Sequence, residues 1–64
     1  MPVITVDIGI MESREKKAEL VKALTTVAHE VTKIPVDKFT VHINEMSPDN
    51  IGIGGALLSD ILKR

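Results

Sequence analysis

The stretch SREKKAELVKALTTVAHEVTK, residues 13–33, decides the fold of this chain. Ser13 offers a hydroxyl to an orphan backbone N–H, and Glu15 stands where a carboxylate suits the positive end of a helix, so a helix is predicted to begin at Arg14. Leu20, Val21, Leu24, Val27, Ala28 and Val31 recur at spacings of one, three and four, which draws one apolar stripe at the 3.6-residue period. Glu15, Glu19, Lys22, Thr26, His29 and Lys33 are expected on the opposite side. Pro35 cannot continue the helix and biases Ile34 toward extended geometry, so residues 34–38 read as a connection.

On the N-terminal side, Ile4, Val6 and Ile8 alternate with Val3, Thr5 and Asp7, the period of a half-buried strand from Pro2 to Ile8, which Gly9 is expected to break. On the C-terminal side, Phe39, Val41 and Ile43 alternate with Thr40, His42 and Asn44, and Ser47-Pro48-Asp49-Asn50 then supplies a turn. Strand, long helix and strand define an α/β chain built on a βαβ unit, whose crossover makes the two strands parallel. Beyond the turn, residues 51–62 are more apolar than so short a tail can bury against its own chain, and they read as an interface arm.

All 64 residues fit one domain, residues 1–64. With 44% apolar and 27% charged residues, the composition is that of a globular protein. Cys is absent, which excludes a disulfide framework, a cysteine nucleophile and cysteine-ligated zinc. A chain of this size buries only about 60% of its unfolded surface, and without staples the usual remedy is a core shared with other copies. A homo-oligomer is therefore expected.

Net charge −1, with Phe39 as the only aromatic, provides neither a phosphate-binding field nor a stacking platform, so no nucleic-acid partner is expected. No basic leader opens the chain and no apolar run approaches the roughly 20 residues that span a bilayer, so no membrane partner is expected and the cytoplasm is the expected location. Gly52, Gly54 and Gly55 are not followed by the Lys-Ser/Thr of a phosphate loop and read as turn glycines.

The residue with most chemical potential is Pro2. Removal of Met1 would leave a secondary amine at the terminus, and apolar surroundings would lower its pKa from the roughly 7.7 to 8.0 of an ordinary terminal amine, making it a proton acceptor near neutrality. The same proline serves equally as the opener of an edge strand.

Taken together, MPVITVDI, SREKKAELV, IPVDKFTVHINEM and NIGIGG, covering nearly the whole chain, resemble a 4-oxalocrotonate tautomerase subunit. The resemblance implies a cofactor-independent and metal-independent isomerase, in which the N-terminal proline amine, here Pro2, moves a proton on a small unsaturated keto/enol acid. It also implies that the glycine-rich arm forms a β-hairpin packed on a neighbouring subunit, that active sites are shaped by more than one chain, and that the assembly is a hexamer, a trimer of dimers.

Aligned without a gap, the family's two substrate-binding arginines fall at Glu12 and Thr40 and its pocket phenylalanine at Ile51, so none of the three is retained. The first replacement reverses a charge and the second removes a bidentate carboxylate clamp. Ile51 keeps an apolar wall. Thr40 and Ile51 therefore enter as candidate substrate contacts by position, and Lys17, which projects into the apolar stripe of the helix, enters as a substitute cation. His42 is weighed as a proton carrier and, lacking a recognisable carboxylate partner, reads as structural. The rival to an isomerase is a non-catalytic ligand-binding or structural descendant that kept the scaffold. A further option within catalysis is imine chemistry at the same amine.

Overall fold

The computed structural model describes residues 2–63. The expected removal of Met1 concerns a residue outside that range. Strand β1 spans Val3–Gly9, helix α1 Arg14–Thr32, and strand β2 Thr40–Met46. Single 3-10 turns occupy Val36–Lys38 and Pro48–Asn50, and the arm consists of β3 (Gly52–Ile53), β4 (Ala56–Leu57) and α2 (Leu58–Leu62). β1 and β2 pair in parallel with Ile4 beside Val41 and Val6 beside Ile43.

Helix α1 starts where its cap dictates. Ser13 is extended, and its side chain accepts a hydrogen bond from the Lys16 N–H at 3.2 Å. A Ser13→Ala chain is expected to lose about 1 kcal/mol of stability, read as a shifted urea midpoint at fixed protein concentration. The helix ends at Lys33, which adopts a left-handed φ of 65° and returns its N–H to the His29 carbonyl. His29 adds a second tie, its ring Nδ1 lying 2.7 Å from the Ile34 carbonyl oxygen. It is half-buried rather than solvated as its place on the polar face predicts.

The sheet has two unlike faces. Ile4, Val6, Val41 and Ile43 are half-buried, as are Leu20, Val21, Leu24 and Ala28 of the helix. On the other face Thr5, Asp7, His42 and Asn44 are exposed. Three expectations need correction. Gly9 remains the last residue of β1, paired with Met46, because a parallel ladder needs only its backbone. β2 starts one residue after Phe39 and runs two past Asn44. Val27 and Val31, expected in the packed stripe, are 59% and 78% exposed.

In the arm, Gly54 and Gly55 have φ of 61° and 89°, and only two residues join β3 to β4. Positive φ at both central positions is the primed turn that suits a two-residue antiparallel hairpin, which is why glycine stands there. The Leu58 N–H donates to the Ile51 carbonyl at 2.7 Å and fastens the start of α2. The hairpin thus has the form the resemblance implies.

Among the described residues none is buried. The radius of gyration is 15.4 Å, with extents of 46 × 24 × 15 Å, whereas a compact chain of this length has about 11 Å. A protomer this elongated, with Ile53, Leu57 and Leu62 exposed, leaves its apolar surface uncovered by its own chain.

Candidate active site

Chemical groups gather at the two opposite ends of the β1–β2 pair. At the N-terminal end, the Thr40 N–H donates to the Pro2 carbonyl at 3.1 Å. Both residues are half-buried. The tie uses the carbonyl of Pro2 and leaves its nitrogen unengaged by that bond.

At the C-terminal end, Asp7, Ile8, Gly9, Met46 and Ile51 line an open cleft of about 310 Å³. The Asn44 side-chain amide donates to Asp7 Oδ1 at 3.0 Å across the strands. Behind the cleft, Glu45 Oε2 accepts from the Met11 N–H at 2.6 Å and Glu45 Oε1 lies 2.7 Å from Lys17 Nζ. One carboxylate thereby fastens both the β1–α1 loop and the first turns of α1 to the end of β2.

The hydrogen bond from Lys17, then that from the Met11 N–H, and the charge of Lys17 hold the Glu45 carboxyl below its ordinary value of 4.5, outweighing the desolvation that pushes it up. Because the folded-state pKa is depressed, the clamp contributes fully above the ordinary value and is lost as pH falls through the lowered one. Glu45→Gln is therefore expected to flatten the dependence of stability on pH below about 4.5. Urea midpoints of the two chains measured across that range should converge toward the acid end.

The four candidate residues do not meet within one protomer. Four strand residues, 3–6, stand between Pro2 and Asp7, the first cleft residue along β1, a separation of roughly 16 Å at about 3.3 Å per step. Pro2 and Thr40 share one end, while Ile51 and Lys17 lie toward the other, with Ile51 in the cleft wall and Lys17 engaged by Glu45. His42 is exposed on the uncovered face opposite Thr5.

Sequence reasoning singles out neither Glu45 nor Asp7, the two carboxylates that make the contacts at this end. A signal for Glu45 existed, because positions 41, 43 and 45 share the face that meets the helix, and Lys17 lies on the helical stripe facing it. Asp7 opposite Asn44 follows only from the register. No group of three or more metal-ligating side chains occurs among the described residues, and no helix among them is long and apolar enough to cross a membrane.

These features define a class: a small α/β protomer with Pro2 at one end of a parallel strand pair and an apolar cleft at the other. The chain belongs to the tautomerase family, whose description as a tautomerase enzyme matches residues 2–61. It is 35% identical over 60 residues to a probable tautomerase of Bacillus cereus, covering 94% of this chain and 98% of the relative. It is 34% identical over 61 residues to the 2-hydroxymuconate tautomerase of Bacillus subtilis, covering 95% and 98% respectively. Among solved structures it is similar to TomN, a 4-oxalocrotonate tautomerase homologue of the tomaymycin biosynthetic pathway. That match has a TM-score of 0.87 and 30% identity, and covers 98% of this chain and 97% of the other. Family membership supports an isomerase activity of the tautomerase type.

Proposed function

We propose that the chain is a tautomerase in which the Pro2 amine, exposed by removal of Met1, is the general base, acting without cofactor on a small unsaturated keto/enol compound. The amine takes the proton of the enol hydroxyl, the negative charge spreads over the conjugated system, and the protonated amine returns the proton to a carbon further along, giving the conjugated ketone. One base serves both steps, and its efficiency is greatest when its pKa lies near the working pH.

The observation that carries this reading is the division of the site between opposite ends of the strands. β1 has β2 on one edge and no strand on the other among the described residues. Two copies meeting antiparallel along that edge would form a four-stranded sheet and bring Pro2 of each beside the cleft of the other. Ile51 and Ile8 would then exclude water from the amine and favour its neutral form. Three such pairs make the hexamer that the resemblance implies, and the uncovered apolar arm supplies surface for it. Thr40 keeps its place beside Pro2, contributing a backbone tie and a hydroxyl, whereas Lys17 is committed to Glu45 and serves the loop. The address proposed for this assembly is the cytoplasm.

The test compares enol ketonisation by the purified protein with that of a Pro2→Ala chain, after intact mass has established the state of the N-terminus. Equal rates would favour the non-catalytic alternative, and borohydride trapping of an adduct would favour imine chemistry.

A further inference from the structure

The cleft at the C-terminal end of the strands is one-sided in charge. Of its five lining residues only Asp7 is ionisable, and Ile8, Met46 and Ile51 give it an apolar wall. Glu12 is exposed on the loop that leaves the cleft at Gly9. Lys17 does not balance either carboxylate, because its ammonium lies 2.7 Å from Glu45, which also holds the Met11 N–H of that loop. Arg14 and Lys16, the other cations next to this loop in sequence, are exposed at the head of α1.

From this arrangement we infer that the cleft selects by charge, taking uncharged enolisable carbonyl compounds in preference to dianions. The inference rests on the tautomerase reading and names its substrate class. A dicarboxylate entering here would shed water from its carboxylates with no cation among the lining residues to receive them, and would bring them toward Asp7 and Glu12. An uncharged conjugated chain would instead bury its surface on Ile8, Met46 and Ile51. Discrimination of this kind comes as much from repulsion of the wrong ligand as from attraction of the right one. The volume, about 310 Å³, lies at the small end of the range for ligand pockets.

One carbon skeleton in two charge states tests the inference: a 2-hydroxydienedioate as its dianion and as its dimethyl ester, turned over by the assembled full chain. The ester is expected to have a kcat/KM about tenfold or more above that of the dianion. Added salt should narrow that ratio by screening the carboxylates. Glu12→Arg should lower the ratio or reverse it, and Asp7→Asn should shift it in the same direction if the arginine variant fails to assemble. Equal values for the two forms, or a preference for the dianion, would overturn the charge selection while leaving a Pro2-dependent tautomerase intact. Rates unaffected by Pro2→Ala would instead remove the tautomerase reading. Calorimetric binding of the saturated dioate and its dimethyl ester then decides the charge question without turnover: tighter binding of the ester supports it, and equal or weaker binding overturns it.

Discussion

A Pro2→Ala chain is expected to ketonise enol substrates about 10² to 10⁴ times more slowly than the parent, the range that positioned acid–base groups supply. The substitution is well suited to the question because it spares the fold. Alanine keeps the carbonyl that accepts the Thr40 N–H, and Pro2 has no backbone N–H to donate to the ladder, so the exchange removes no cross-strand hydrogen bond. What changes is the proposed base, from a secondary amine held in a ring to a primary amine on a freer backbone. The pH profile provides a second readout. If a neutral amine is the base, kcat/KM rises with pH and levels off above the amine's pKa, and an apolar neighbour places that rise below the roughly 7.7 to 8.0 of an ordinary terminal amine. The rise should move in the variant. A chain made with an extra residue ahead of Pro2 has an amide nitrogen there and should lose the profile altogether. Circular dichroism and sedimentation of all three chains check that assembly is retained.

How much of this was legible in the sequence follows the range of the forces involved. The start of α1 was readable because a cap is a local contact, between the Ser13 side chain and an N–H three residues on. The parallel β1–β2 pair was readable because a long helical crossover leaves little choice of direction. Val27 and Val31 were misplaced for a geometric reason that periodicity does not carry. The 19 residues of α1 extend about 28 Å at 1.5 Å each, whereas a seven-residue strand covers about 23 Å. About one turn of the helix thus outruns the sheet and carries Val31 past the surface that could cover it. Val27, about 21 Å along, lies within the sheet's length but about 100° round the helix from half-buried Ala28, at the rim of the stripe. Glu45 was missed because β2 was expected to stop at Asn44, one residue short of the carboxylate that joins strand, loop and helix. As for the candidate site, Pro2 and Ile51 could each be singled out by type and position, but whether they meet depends on where a second copy sits, and that information is not local to any stretch of one chain.

Ile53→Asp is expected to abolish assembly and, with it, cooperative unfolding at micromolar concentration. Ile53 is 57% exposed in the protomer, at the second position of β3 beside the Gly54-Gly55 turn. If the chain worked alone, a charge at so open a site would change stability by no more than about 0.5 kcal/mol. If the arm packs on a neighbour, each copy forfeits the roughly 1.5 to 3 kcal/mol of a buried isoleucine and also places a carboxylate in an apolar contact, which costs more still. A protomer in which no described residue is buried has little internal packing with which to offset that loss, so separation of the subunits and loss of fold should be one event. Two measurements decide the matter. Sedimentation should show the parent as an oligomer and the variant as a smaller species, and the melting temperature of the parent should rise with protein concentration because association stabilises only the folded chain. A variant that sediments and melts like the parent would mean that the arm is a solvent-facing decoration, and the reading of the cleft as one half of a shared site would fall with it.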